Sequence, residues 1–417
     1  MKDRMIFKST KLANGITIHA KPTDVPFAVV WIYVPVGSAH NIGKVLPGTA
    51  HFLEHIVYGR SHLYPERNQF QKKIELNGGD FNAMTYPMYT LFCLSIRSDM
   101  FNEAFKGLMS HVFDPLIKAE DIISEAGIIL SESNRDNKWY PGGDEFEHYY
   151  MTDYKKTGLL NARQKIGNES DLKKMSVDML SNLHNAYLDP RTFVIVGGSF
   201  DQKVVIKELS KLKTKKHKFP MKFEQIEWAN KKYHEKKFGD VSQFLYYFGG
   251  IVPEHDPMTG VGIGFIGELL TNYTHGVLYE WLRNELGWCY NMSFDFDYDH
   301  NPHIYNNWEL CLPMGTHKQV QHVRKEIHNK ILQAISNKEL VAREVERQKS
   351  CSLFAYQTLR STMSDADSML RPYGGRIFTE ADDLKLLERC KDTSFLKEIY
   401  NKYWSPKVIG EFLAMPK

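Results

Sequence analysis

Apolar and polar positions along the chain change period several times, and each change marks an element. Residues 27–36 form a nearly unbroken apolar run rich in Val, Ile and aromatics, which predicts a buried strand ended by Gly37-Ser38. Asn14-Gly15 predicts a hairpin turn leading into a strand over residues 16–20. Helical spacing begins after Gly48, and a further helix is predicted from Pro65 or Glu66 to Leu76, stopped by Asn77-Gly78-Gly79. Residues 81–96 read as a pair of strands, and 100–113 and 120–135 as helices. A break at Tyr140-Pro141-Gly142-Gly143 precedes predicted helices over 144–157 and 177–187, then a buried strand over 193–198.

Residues 211–240 are lysine-rich and polar and read as an inter-domain linker. After it the order of elements starts again: a strand at 244–251, helices at 260–271 and 276–286, strands at 290–296 and 308–312, and long helices at 318–335 and 338–359. Tyr187-Leu188-Asp189-Pro190-Arg191 leads into an apolar strand, and Tyr403-Trp404-Ser405-Pro406-Lys407 leads into Val408-Ile409, 216 positions later. The short motif alone could recur by chance, but the element order repeats with it. The expected fold is α+β: two similar domains, each a largely antiparallel sheet packed with helices, at 1–210 and 241–417 with the linker at 211–240.

The helix after Gly48 carries His51-Phe52-Leu53-Glu54-His55, an H-x-x-E-H pattern. Residues three and four apart share a helix face, so His51, Glu54 and His55 project together while Phe52, Leu53 and Val57 can turn into a core. Two neutral imidazoles one turn apart can grip one zinc ion, and a carboxylate beside them can take a proton from water that the metal holds. A lone helical histidine is usually structural, and three fixed residues in five also arise by chance. Shifted by 216, Gly48 falls on Gly264, His51 on Gly267 and His55 on Thr271, so the second half keeps a helix but no ligands. One metal site per chain is expected.

The remaining composition narrows the class. The chain has 417 residues with 42% hydrophobic and 25% charged, an ordinary globular balance with enough apolar material for a sizeable core. A net charge of +3 is too slight for a nucleic-acid binder, and the basic run 211–218 reads as a solvated linker rather than a phosphate-binding patch. The five cysteines, Cys93, Cys289, Cys311, Cys351 and Cys390, are odd in number, scattered, and form no C-x-x-C; that argues against disulfides and a cysteine zinc site and fits a reducing compartment. No run of eighteen apolar residues exists and the first residues carry no long apolar core, so no membrane span is expected and the cytoplasm is the expected location, with a mature organellar form that has lost a presequence as the alternative.

H-x-x-E-H is the inverzincin signature, and the chain resembles the pitrilysin-type zinc metallopeptidases. In that family the third ligand is a Glu with about 76 residues between it and the second His, preceded by another Glu seven positions earlier. Counted from His55, those places hold Glu132 and Glu125, in Ser124-Glu125-Ala126-Gly127-Ile128-Ile129-Leu130-Ser131-Glu132. Leu12-Ala13-Asn14-Gly15, Val36-Gly37-Ser38 and Gly78-Gly79-Asp80-Phe81-Asn82-Ala83-Met84-Thr85 also resemble family segments, the last an edge strand beside the zinc. Arg283 and Tyr290 resemble the Arg/Tyr pair of the family's C-terminal half. Two stretches depart from the pattern: Tyr58-Gly59-Arg60-Ser61, where the family usually has Gly-Thr, and the tyrosine-rich 86–89.

The resemblance implies a pitrilysin-like fold of the LuxS/metallohydrolase type and a zinc-dependent endopeptidase. His51, His55 and Glu132 would bind zinc, Glu54 would be the general base, and Glu125 would orient a ligand or bind Arg or Lys. Asn82 and Ala83 would pair with an extended peptide, and Arg283 and Tyr290 would bind the substrate backbone or the developing oxyanion. Short or unfolded peptides would be cut inside a chamber that needs four such domains. Because one chain carries both the zinc set and the Arg/Tyr pair, a homodimer is expected. The competing readings are a non-catalytic or partner subunit of a heterodimeric complex, and a metal-binding protein without hydrolysis.

Overall fold

The structure, a computed structural model, describes residues 7–40, 45–139, 166–218, 233–239, 241–254, 256–297, 306–357 and 380–417. The predicted break at 140–143, the predicted helix at 144–157 and residues 358–359 lie outside them. The chain divides into two compact units, Met1–Arg135 with Lys155–Glu224, and Asp136–Tyr154 with Gln225–Lys417.

In the first unit, β1 (Lys8–Lys11), β2 (Thr17–Pro22) and β3 (Phe27–Val34) precede helices α1 (Thr49–Gly59) and α2 (Gln69–Leu76). Strands β4 (Asp80–Thr85) and β5 (Thr90–Arg97) follow, then α3 (Phe101–Phe113), α4 (Ala119–Trp139), α5 (Val177–His184), β6 (Phe193–Gly198) and α6 (Gln202–Ser210). The sheet order is β1-β2-β6-β3-β5-β4, antiparallel except for the β2–β6 pair. Register explains which face is buried. Ala28, Val30 and Ile32 stand opposite Ile96, Leu94 and Phe92 on one side, and Val30 and Ile32 opposite Val196 and Val194 on the other. These residues, alternating along each strand, join Phe52, Leu53, Ile56 and Val57 of α1 in one core.

The second unit holds β7 (His234–Phe238), β8 (Phe244–Val252), α7 (Pro257–Thr271), β9 (Ser293–Asp297), β10 (Asn306–Met314), α8 (His317–Ser336), α9 (Lys338–Gln357), α10 (Glu380–Arg389), α11 (Thr393–Ile399) and β11 (Gly410–Pro416). Its sheet runs β7-β11-β8-β10-β9, with β7–β11 the parallel pair. Strand for strand this repeats β2-β6-β3-β5-β4. Phe27 pairs with Arg97 in the first sheet, and Phe244 with Met314 in the second, each residue displaced by 217 positions. The core is aromatic, with Trp308 and Trp404 stacked at 3.7 Å. The expected α+β class with two similar, largely antiparallel domains holds.

Several boundaries need correction. The stretch 211–240, expected as a linker, is built structure where it is described. Residues 211–218 are fastened to the first unit: Lys215 N donates to Leu188 O, Thr214 Oγ1 to Asn14 O, and His217 N to the buried carboxylate of Asp189. His234–Phe238 form β7; an edge strand with exposed charged side chains shows no apolar run. The division between the units falls within α4, at Arg135 and Asp136, in a helix of 21 residues and about 30 Å. Helix α2 starts at Gln69 rather than at 65 or 66. Asn68 before it has φ 59°, left-handed, and residues 66–69 form a turn closed by Gln69 N to Glu66 O.

Candidate metal centre

Helix α1 begins where only glycine fits. Gly48 has φ 80°, and a Cβ there would lie 2.2 Å from Ile166 O. From that start Phe52, Leu53, Ile56 and Val57 enter the core, and His51, Glu54 and His55 face a cavity of about 490 Å³ that Glu125, Glu132, Ala83 and Thr85 also line. The two carboxylates come from α4, whose Ile122 and Ile129 are buried in the core. Arg60, in the departing Tyr-Gly-Arg-Ser stretch, places this helix: its Nη2 donates to Asp121 Oδ1 at 2.6 Å, tying the end of α1 to the first turn of α4.

The donor atoms converge. Glu132 Oε2 lies 3.8 Å from His51 Nε2 and 3.6 Å from His55 Nε2, and one ligand atom from each residue falls within 4.8 Å of the others. Ligands of a tetrahedral zinc at about 2.0–2.1 Å sit roughly 3.3 Å apart, so two imidazole nitrogens and one carboxylate oxygen at this spacing fit the ion with a position to spare. His55 is oriented from behind: Nδ1 is 3.0 Å from Glu125 Oε2, while Arg67 holds Glu125 Oε1 and donates from Nη1 to Ser124 Oγ at 2.6 Å. Burial alone would lower the His55 pKa; hydrogen bonds to Glu125 and Glu132, with the nearby Glu54 charge, overcome it and push the value up to about 9. A metal-free site therefore holds a proton on His55 at neutral pH. Glu54 is buried, and its Oε2 accepts a hydrogen bond from Thr85 Oγ1 at 2.6 Å.

Strand β4 lies at the edge of the described sheet, with Ala83 and Thr85 turned to the buried side and Asn82 exposed. Its outer backbone groups already have partners: Ala83 N donates to Asn82 Oδ1 at 2.8 Å, and Phe81 O accepts from the Tyr58 hydroxyl at 3.0 Å. Arg283 and Tyr290 belong to the second unit. Arg283 lies in the π-helical segment Glu280–Glu285, its Nη1 donates to Tyr290 O at 2.7 Å, and its guanidinium carbon is 4.3 Å from the Tyr290 ring centre. The Tyr273 hydroxyl first, then the neighbouring tyrosines, shift its pKa upward.

The structure thus gathers His51, Glu54, His55, Asn82, Ala83, Glu125 and Glu132 around one cavity in the first unit, and Arg283 with Tyr290 at one place in the second. Sequence reasoning gave no role to Thr85 or Arg67. Thr85 had a signal, since it shares the strand face of Ala83, two residues away. Arg67 had none, because its contact with Glu125 spans 58 residues. Gly267, 216 positions after His51, lies in α7, and a Cβ there would lie 2.0 Å from the Phe294 ring of β9.

Fold and site together define a protein of two repeated α+β units with a metal-type donor set in the first. Residues 16–163 match the family described as insulinase (peptidase family M16), and residues 174–350 match the peptidase M16 inactive domain. The chain belongs to the M16 peptidase family. It is 30% identical over 133 residues to protease 3 of Escherichia coli K12, covering 31% of this chain and 14% of that protein. It is 29% identical over 127 residues to mitochondrial-processing peptidase subunit beta of Dictyostelium discoideum, covering 30% and 27%. The match therefore spans well under a third of these curated relatives. Among solved structures, a protease from Helicobacter pylori superposes with a TM-score of 0.80 at 16% identity, covering 98% of this chain and 99% of that one. An M16-like peptidase from Alicyclobacillus acidocaldarius superposes with a TM-score of 0.79 at 15% identity over the whole of both chains. No helix among the described residues is long and apolar enough to cross a membrane.

Proposed function

We propose that the chain is a zinc-dependent endopeptidase that hydrolyses short or unfolded peptides, with one zinc ion per chain. The observation that carries this reading is the convergence of His51 Nε2, His55 Nε2 and Glu132 Oε2 beside the Glu54 carboxylate. When bound, zinc would supply a Lewis acid for the scissile carbonyl and make water more acidic.

The residues of the chain would do the rest. Glu54 takes a proton from the attacking water and returns it to the leaving amine, while Thr85, bonded to Oε2, fixes the plane of that carboxylate. Glu125 and Arg67 hold the His55 ring so that Nε2 faces Glu132. The peptide lies along β4 as an added strand, with Asn82 and Ala83 pairing with its backbone. Arg283 and Tyr290 act as donors to the substrate, in a twofold homodimer whose four units enclose a chamber, each site taking the zinc set from one subunit and the Arg/Tyr pair from the other.

The test is bound zinc and peptide cleavage measured on the same preparation. Glu54→Gln should keep a full equivalent of zinc and lose about 10²–10⁴-fold in turnover. His51→Ala and Glu132→Ala should lose the metal. Cleavage by Glu54→Gln at the wild-type rate would refute its role as base; an intact site that binds zinc and cuts no peptide would favour the non-catalytic reading.

A further inference from the structure

Thr85 holds Glu54, yet it stands at the least secure place in the first sheet. Strand β4 pairs only with β5 among the described strands, and its ladder ends at the Thr85–Thr90 pair. The last pair of an edge ladder is where strands open most readily. A hydrogen bond that orients a catalytic group does so only while its partners hold within about 0.5 Å. Thr85 and Thr90 are nevertheless buried, and Thr85 Oγ1 lies 2.6 Å from Glu54 Oε2. The residues that lie between the two threonines are Tyr86-Pro87-Met88-Tyr89, the tyrosine-rich stretch that departs from the family pattern and to which the proposed chemistry gives no part.

This turn is clamped on two sides. It closes on itself through Tyr86 N to Tyr89 O at 2.8 Å. On its backbone side lies the buried segment 36–40. Ser38 N donates to Tyr86 O at 2.9 Å and Ala39 N to Pro87 O at 2.8 Å, while Thr90 Oγ1 donates to Val36 O at 2.7 Å. Gly37 lets the two segments meet: a Cβ there would lie 2.6 Å from Pro87 O and from Tyr89 N, and nearer still to Tyr86 O. His40 fixes Gly37 in turn, since Gly37 N donates to His40 Nδ1 at 2.9 Å and His40 N donates to Gly37 O at 3.0 Å. Burial pushes the His40 pKa down to about 4, so the ring is neutral at pH 7 and Nδ1 can accept that bond. On the other side the Tyr86 and Tyr89 rings stack at 4.8 Å, and Tyr89 lies 5.4 Å from Tyr33, which stacks on Phe193 at 4.3 Å.

We propose that Gly37 and His40 are positioning residues for Glu54: the segment they shape clamps the 86–89 turn, and the turn holds Thr85 where it orients the Glu54 carboxylate. The proposal rests on the reading of Glu54 as general base. Gly37 and His40 stand outside the cavity lining that carries the zinc donors, so their effect falls on the base and not on metal or substrate binding. A peptide that adds to the outer edge of β4 loads that strand, and a turn anchored in the buried segment keeps Thr85 from moving with it. The clamp is therefore read in kcat, with KM and zinc content kept.

The experiment uses the full-length, zinc-loaded chain, with cleavage of an unstructured fluorogenic peptide and hydrogen exchange of the backbone amides followed on the same preparations. Gly37→Ala should lower the protection of the Ser38 and Ala39 amides about tenfold and kcat about five- to tenfold, with KM and bound zinc unchanged. His40→Leu should act in the same direction by about threefold, and His40→Asn, whose amide oxygen can stand near the place of Nδ1, should restore most of kcat; general loosening of the fold would not give that recovery. Placed in a Thr85→Val background, Gly37→Ala should cost less than about twofold more, because both changes remove the same bond to Glu54. Losses that multiply in the double variant would put the effect elsewhere and overturn the proposal. So would lost amide protection with wild-type kcat, and if Gly37→Ala does not fold, equal kcat for wild type, His40→Leu and His40→Asn would do the same; each of these leaves the hydrolase standing. A zinc-loaded wild type that cuts no peptide would overturn the hydrolase reading and the positioning role together.

Discussion

Removing the charge of Glu125 while keeping its shape, as in Glu125→Gln, should change zinc affinity in a pH-dependent way. Glu125 does two opposing things to His55. It orients the ring through the 3.0 Å contact with Nδ1, which favours metal binding, and it stabilises the imidazolium, which competes with metal. The first effect is worth about 10–100-fold in affinity. The second follows from the pKa of about 9 in the metal-free protein. Since the pKa is raised, His55 is protonated below that value, and zinc must displace the proton at a cost of about 1.4 kcal/mol per pH unit, or about 2 kcal/mol at pH 7.5. In Glu125→Gln the imidazolium loses its main support, so this competition weakens while the loss of orientation remains. The deficit in zinc affinity should therefore be largest near pH 8.5 and shrink toward pH 6.5, and fewer protons should be released on binding at pH 7.5. Competition against a chromophoric chelator across that range measures the first; calorimetry in two buffers of different ionisation enthalpy measures the second. Parallel pH curves for the two proteins, or unchanged proton release, would refute the reasoning.

Three further outcomes are expected. Thr85→Val removes the 2.6 Å bond to Glu54 and nothing else polar, and should lower kcat about tenfold with KM nearly unchanged; a change confined to KM would reassign Thr85 to substrate binding. His111 is buried, bonded from Nδ1 to Val57 O, and burial depresses its pKa from 6.5 to about 4. The unfolded chain thus binds protons first as pH falls, so its stabilising contribution is lost between pH 6.5 and 4, by about 2 kcal/mol at pH 5. Denaturant titrations of the metal-free protein should show this acid limb and His111→Gln should flatten it; an unchanged limb would mean that His111 is already charged in the folded state. Finally, Glu54→Gln and Tyr290→Phe homodimers should each be nearly inactive and regain activity on mixing, toward half of wild type per mixed dimer. No recovery despite subunit exchange would exclude shared sites, and a monomer in sedimentation at assay concentration would exclude the dimer.

What the sequence disclosed follows from the range of each interaction. His51, Glu54 and His55 share a face because helix geometry is local, so their grouping could be read directly. Glu125 and Glu132 share a face for the same reason, but nothing local says that α4 lies beside α1. Only the family spacing pointed there, and the Arg60–Asp121 contact is the physical link. Arg67 and Thr85 act through pairings that no periodicity encodes. The repeated fold was visible as element order, whereas β7 was not: its partner β11 lies at the far end of the chain, and its exposed lysines hide its strand character. Helix α6, with Val205 and Leu209 buried, was too short to stand out beside the lysine run that follows it.

The exposed margin of β4 has a consequence for how the protein behaves in concentrated solution. An edge strand open to a guest peptide is equally open to the same edge of another copy, and such pairing is a common start of aggregation. Here the Asn82 amide sits on the Ala83 N–H, the Tyr58 hydroxyl sits on the Phe81 carbonyl, and Asp80 stands exposed beside them. A strand arriving with backbone alone must displace these contacts, each worth about 1 kcal/mol, for little gain. A guest that brings additional contacts elsewhere can meet that cost, whereas a neighbouring copy docking edge to edge cannot. The same three side chains that screen ligands would then also keep the protein dispersed.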